Sequence, residues 1–248
     1  MSIRLAEIDT RAPKDLDKAA IKAKTAELLD QLDELQNLLY ASKQYAVLVI
    51  IQGMDASGKD GAIKHVFGPL NPLGVSAKAF KAPTEEELAH DFLWRIHRCV
   101  PAKGAMQIFN RSQYEDVLIT RVHHWIDEET VRRRMKDINH FESLLQQSGN
   151  TAIIKFYLHI SKEEQQERFK ERLTDDRKHW KYNANDFKEA ELWNEYRKAY
   201  EDCFEHCNNP AWVIVPADQN WYKEYVIAST MVETLSKLNM QYPELPKA

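Results

Sequence analysis

The segment Tyr45–Ile51, reading Tyr-Ala-Val-Leu-Val-Ile-Ile, constrains this chain most. It is apolar throughout and rich in β-branched residues. That is the pattern of a strand buried on both faces, as found in parallel sheets covered by helices. One residue later comes Gly53-Met54-Asp55-Ala56-Ser57-Gly58-Lys59-Asp60, and the spacing of Ile63, Val66 and Phe67 then predicts a helix. Strand, glycine loop and helix in this order form the context in which G-x-x-x-x-G-K holds phosphate. The chain has seven glycines, and Gly53, Gly58 and Gly61 concentrate in this one stretch, so the loop is their principal use.

The physics of such a loop is local. Glycine lets backbone N–H groups converge on an anion, and the following helix adds the positive end of its dipole. The backbone of Gly53, Ala56, Ser57, Gly58 and Asp60 is therefore expected to line the phosphate, with Lys59 against its bridging and terminal oxygens. Two positions depart from the common pattern. Asp60 stands where Ser or Thr normally offers Mg²⁺ a hydroxyl, and Asp55 puts a carboxylate inside an anion-binding loop. A carboxylate beside phosphate is repulsive unless a divalent cation lies between them. Asp55 and Asp60 are thus candidate ligands of a metal or its waters. Asp60 has a second reading, as a charge that complements the helix N-terminus.

Elsewhere the chain alternates the same two element types. Leu28, Leu29, Leu32, Leu35, Leu38 and Leu39 predict a long amphipathic helix over 15–40, capped by Asp15 or Asp17. Further strands are expected at Val75–Phe80, Ala105–Phe109, Ala152–Ile160 and Trp212–Val215. Helices are expected near 84–99, 128–147, 161–172, 186–206 and 219–238. This alternation predicts a three-layer α/β/α fold around a parallel sheet of about five strands. Residues 1–248 read as one domain, with a helical arm over 1–44 and a lid region over 161–207. Net charge is −4, so the bulk composition points to neither nucleic acid nor an anionic membrane, and a polyanionic ligand needs a local basic patch. No apolar run is long enough to span a bilayer, and no secretory signal is visible at the N-terminus. Three cysteines, Cys99, Cys203 and Cys207, are an odd count that suggests a reducing compartment, so a cytoplasmic location is expected. Cys203, His206 and Cys207 lack a fourth partner for zinc.

The strand at Ala105–Phe109 ends in Asn110-Arg111-Ser112-Gln113-Tyr114-Glu115-Asp116. Asn110 occupies the place of the acid that usually holds Mg²⁺ in such enzymes. Arg111 offers a planar fork suited to phosphate, or else an ion pair to Glu115 or another acid. These motifs, with Phe80-Lys81-Ala82-Pro83-Thr84, the Arg168, Arg172, Lys178-His179-Trp180-Lys181 stretch and Val215-Pro216-Ala217-Asp218 before Trp221-Tyr222, resemble the polyphosphate kinase 2 family over about residues 35–235.

The resemblance implies a P-loop kinase-like fold that moves phosphoryl groups between inorganic polyphosphate and AMP or ADP, with Mg²⁺ or Mn²⁺ as cofactor. It implies that Asp55, Lys59 and Arg111 are catalytic and that Asn110, Tyr114 and Glu115 face the nucleotide. Relatives acting on diphosphates generally carry Asp at the position of Asn110. The segment Phe109–Val117 is more similar to the subgroup that accepts both AMP and ADP, with Glu115 and Asp116 as substitute metal ligands. The charged stretch from Lys162 to Lys188 balances eight bases against seven acids, so spacing matters more than the sum. Arg168 and Arg172, four apart, share a helical face and suit a lid over a phosphate chain. A solvated helix held by pairs such as Glu164–Arg168 is the plainer reading. Lys64, Lys81, Arg121, Lys178 and Lys181 extend the expected basic path. A homo-oligomer is expected, and an ATP-dependent kinase of a nucleotide or small metabolite is the alternative function.

Overall fold

A computed structural model describes residues 3–245. Five parallel strands form one sheet in the order β2-β3-β1-β4-β5: β1 (Ala46–Gly53), β2 (Val75–Ala79), β3 (Met106–Asn110), β4 (Thr151–His159) and β5 (Trp212–Pro216). β1 is central and buried at all eight positions, as its apolar run requires. Its side chains alternate between two cores. Leu48 and Ile50 pack on one face with residues of α6 (Glu128–Gly149) and α9 (Trp193–His206). Val47, Val49 and Ile51 pack on the other with α1 (Lys18–Ser42) and α10 (Asn220–Ser236). Helices on both faces give the expected three layers.

The expected strands are present within one or two residues at each end. α1 starts at Lys18 because the carboxylate of Asp17 accepts the Ala19 N–H at 2.9 Å. Residues ahead of it are not helical as expected: between a 3₁₀ turn at Leu5–Glu7 and Asp17 the chain is an irregular strap. Side chains from the C-terminal half hold it. Glu201 accepts the Leu5 N–H, Asp218 the Thr10 hydroxyl and Gln219 the Ala12 N–H. Met1 and Ser2 of the expected arm lie outside the described residues.

The helix expected over 84–99 is two single turns, α3 (Glu85–Leu88) and α4 (Trp94–His97). The side chain of Asp91 takes the Leu93 N–H between them, a local bond that competes with helix continuation. The 186–206 stretch likewise splits into α8 (Ala184–Glu191) and α9 at Leu192. The chain leaves β1 toward β2 on one side and reaches β4 on the other. The C-terminal ends of β1, β3 and β4 therefore open into a crevice at the point where strand order reverses, the usual ligand position in such sheets.

Candidate active site: two chambers around a phosphate loop

The loop after β1 is shaped by three left-handed residues, Gly53 (φ +153°), Ala56 (φ +62°) and Gly58 (φ +92°). A Cβ on Gly58 would approach Lys223 Nζ to 2.5 Å, a contact that the end of the lysine can relieve by moving, so it is the φ that calls for glycine there. The helix that follows, α2, runs as α over Lys59–Ala62 and is wound as π over Ile63–Phe67. Lys59 Nζ folds back on its own loop, donating to the carbonyls of Gly53 (2.8 Å) and Met54 (3.1 Å). Burial, with the neighbouring Arg111 charge, lowers the Lys59 pKa to about 8 against the pull of Asp55, Glu115 and Asp60.

Two cavities meet at this loop. The larger, about 680 Å³, is walled by cations, among them Lys59, Lys81, Arg168, Arg172, Lys178, Lys181 and Lys223. The smaller, about 140 Å³, is walled by Glu115, Gln165, Glu189 and the aromatic side chains of Trp193, Tyr196 and Tyr200. Asp55, Arg111, Asn183 and Asp186 line both. The gate between the chambers is a salt bridge, with Arg111 Nη2 donating to Asp55 Oδ1 at 2.6 Å. Between the open readings for Arg111, the partner is an acid of the phosphate loop. Burial raises the pKa of Glu115, opposed by Arg111 and Lys59, and burial also raises that of Asp186, helped by Asp55.

The segment from α7 (Lys162–Thr174) through a 3₁₀ turn (Asp176–Lys181) to α8 lies over the larger chamber. Arg168 ties its root to the phosphate loop, donating to the carbonyls of Ala56 (2.9 Å) and Ala217 (2.7 Å) while pairing with Glu164. Further out, Arg172 pairs with Asp186 at 2.5 Å, and Lys178 pairs with Glu171 at 2.5 Å. Lys181 reaches across to Asp60 at 2.8 Å. Asp60 Oδ1 also accepts from Asn110 Nδ2 at 2.9 Å, so the neutral residue at the end of β3 orients the loop's second carboxylate. Its two bonds hold the Asp60 pKa below the usual carboxylate range although burial pushes the other way.

Several expected positions lie elsewhere: Asp116 pairs with Arg95 at 3.3 Å and, like the fully buried Ser57, lines neither chamber. Tyr114 does not face either chamber: it is fully buried, its hydroxyl donating to Glu142 at 2.8 Å, because it sits on the inner side of the 3₁₀ turn Gln113–Val117. Arg121, on the single-turn helix α5 (Ile119–Val122), is held by Glu128 (2.7 Å) and Asp202 (2.6 Å), away from both cavities. Lys64 is exposed on α2 and lines neither chamber.

Other site residues were not singled out in the sequence. Gln165 donates to the Asp55 carbonyl at 2.9 Å, and Lys223 donates to the Gly58 carbonyl (3.2 Å) and Asn220 (2.7 Å). Lys223 is 1 % exposed, and burial with the nearby Arg168 lowers its pKa to about 8, against Glu224 and Glu164. A signal for it existed. It lies four residues before Ile227 and eight before Met231, so a lysine occupies the apolar stripe of α10.

Asp55 and Asp60 offer hard oxygen donors on the rim of the larger chamber, and among the described residues no group of three acids, histidines or cysteines is placed to cage a metal. That donor set fits an ion that keeps several waters and takes its remaining ligands from phosphate, as Mg²⁺ does. No helix of the described residues is long and apolar enough to cross a membrane.

Comparison with known proteins agrees with this geometry. The family model described as "Polyphosphate kinase 2 (PPK2)" matches residues 15–243. An AMP/ADP-polyphosphate phosphotransferase of Meiothermus ruber is 45 % identical over 95 % of this chain and 88 % of its own length. An ADP-polyphosphate phosphotransferase of Rhodopseudomonas palustris is 42 % identical over 89 % of this chain and 81 % of its own. The crystal structure of polyphosphate kinase 2 from Arthrobacter aurescens TC1 superimposes with a TM-score of 0.93 at 41 % identity, covering 99 % of this chain and 89 % of that one. With one fold, one glycine loop and a match along nearly its whole length, the chain belongs to the polyphosphate kinase 2 family.

Proposed function

We propose that the protein transfers a phosphoryl group between inorganic polyphosphate and a nucleotide, taking AMP and ADP as acceptors. The observation that carries this reading is the pair of unlike chambers joined at Asp55–Arg111 beside the phosphate loop. The larger, cation-walled chamber suits a chain of phosphates. The smaller, with its aromatic wall and Glu115, is where the acceptor nucleotide approaches. Relatives named for AMP and ADP support both acceptors.

The terminal phosphoryl group then sits at the gate. The loop amides orient it, and Lys59 leaves its carbonyl partners to meet the phosphate oxygens. Arg111 presents its fork to the same group, which concentrates positive charge where the transition state carries negative charge. An acceptor phosphate is already ionised, so these residues have little proton transfer to perform and act mainly by position and charge. Asp55 and Asp60 would hold Mg²⁺, or Mn²⁺ in its place, which when bound neutralises phosphate oxygens. Lid residues Arg172, Lys178 and Lys181 trade their present carboxylate partners for polyphosphate, and closure keeps water from the transferring group.

The test supplies purified protein with Mg²⁺, polyphosphate and either AMP or ADP, and follows ADP and ATP. Product with both acceptors is expected. Absence of product with either, alongside phosphorylation of another acceptor from ATP, would replace this reading with an ATP-dependent kinase.

The two depressed lysines also make a pH prediction. Lys59 and Lys223 are both charged below pH 8 in the free protein and lose protons as pH rises through about 8. Bound polyphosphate favours the charged forms, so binding above pH 8 must take up protons. Affinity is expected to be level below pH 8 and to fall above it, by at most about tenfold per pH unit for each lysine. Calorimetry at pH 9 in buffers of different ionisation enthalpy measures the uptake. Binding enthalpies that do not depend on buffer would contradict it.

A further inference from the structure

Behind the site, and touching neither chamber, lies a salt bridge with no access to solvent. Lys155 on β4 donates to Glu142 on α6 at 2.8 Å, and both side chains are 0 % exposed. Such a pair is a poor source of stability, because desolvating two charges offsets most of their attraction. Its remaining bonds show where it acts. Glu142 Oε1 accepts from both Gln113 Nε2 (2.9 Å) and the Tyr114 hydroxyl (2.8 Å), and Lys155 also donates to that hydroxyl at 3.0 Å. Lys155 donates a third bond to the Cys207 carbonyl at the end of α9, at 2.8 Å.

Gln113 and Tyr114 follow Arg111 with only Ser112 between. Arg111 itself has φ +63°, a backbone state disfavoured for any residue with a Cβ. On its N-terminal side the chain is fixed to the sheet, since the Arg111 N–H donates to the Ile51 carbonyl at 3.1 Å. On its C-terminal side the sheet has ended; Gln113 and Tyr114, at the start of the turn, are tied to the buried pair, while Asp116 at its far end is held by Arg95 and Arg134. Were the Gln113 and Tyr114 anchors lost, Arg111 would be free to relax out of its left-handed state and its guanidinium to swing from Asp55.

We infer that the buried Glu142–Lys155 pair is a positioning device for Arg111, holding it in its strained backbone state by clamping Gln113 and Tyr114. This rests on the reading above that Arg111 acts on the transferring phosphoryl group.

The test is a double-mutant cycle between the pair and Arg111. E142L/K155M replaces both charges with apolar groups of similar volume and leaves no uncompensated charge, so folding is retained; Gln113 and the Tyr114 hydroxyl lose their acceptor, so the melting midpoint falls, but by less than in E142L alone. Its kcat is expected to fall about tenfold, with the KM for polyphosphate changing by less than about twofold. In an R111A background the same replacement is expected to change kcat by less than about twofold, because the group it positions is gone. An unchanged kcat in E142L/K155M would overturn the inference, and so would a tenfold loss that recurs in the R111A background, which marks a general structural effect. Should E142L/K155M fail to fold, Q113L cuts one anchor and leaves the pair intact. A lower kcat that vanishes in the R111A background supports the inference, and wild-type kcat in Q113L overturns it. Wild-type kcat in R111A alone would instead refute the assignment of Arg111 to the active site.

Discussion

Replacing Lys59 by Ala is expected to lower kcat by about 10²-fold or more, the loss seen when one preorganised charge-stabilising donor is removed. The side chain is the one cation that reaches the loop from inside it, donating to the Gly53 and Met54 carbonyls. A hundredfold loss corresponds to about 2.7 kcal/mol of transition-state stabilisation. Solvent screens the half-exposed cations of the 162–191 segment more strongly than the buried Lys59, so single changes at Lys178 or Lys181 should do less. Steady-state turnover with polyphosphate and ADP measures the effect, with a thermal melt alongside to show that the fold is kept. Turnover near that of the unaltered protein would sink the mechanism, because no other side chain within the loop offers a positive charge.

A second large effect is expected on stability. Glu142→Leu alone leaves Lys155 buried without a counter-charge, and breaking such a pair from one side costs about 3–5 kcal/mol. For a chain of this size that lowers the melting midpoint by about 6–20 °C. The carboxylate also accepts from Gln113 and Tyr114, so the single variant leaves two further buried donors without their acceptor. Adding Lys155→Met should recover most of the lost midpoint. Stability and activity then separate: the double variant regains the fold without regaining kcat. A single variant that melts with the unaltered protein would show that the pair is not held as a charge pair in the folded state.

The helices and strands were largely legible because each carries its own period. β1 is an unbroken apolar run, and the stripe of α1 repeats every three or four residues. The glycine loop was legible too, since Gly53 and Gly58 fall where backbone conformation demands them. Boundaries failed where side chains outcompeted the helix. Asp91 capturing the Leu93 N–H is a local bond that no apolar period announces. The role of Arg121 was misread because a cation in sequence does not disclose its partner, and here Glu128 and Asp202 claim it. Tyr114 was misread because a polar aromatic residue suits a ligand or a core equally well. What decided it was a carboxylate twenty-eight residues away on α6.

The chain's own order determined that a phosphate loop follows the central strand, that acids lie within it, and that an arginine stands at the end of a neighbouring strand. These depend on contacts within a few residues, and local sterics and spacing express them directly. Only the tertiary structure decided that Asp55 and Arg111 close the wall between two chambers, that Lys223 sits beneath Gly58, and that a buried ion pair stands behind Arg111. Those pairings join residues 56, 165 and 13 positions apart. A charge declares its partner only once the packing of two cores has brought the far elements together and removed the water that would otherwise satisfy it.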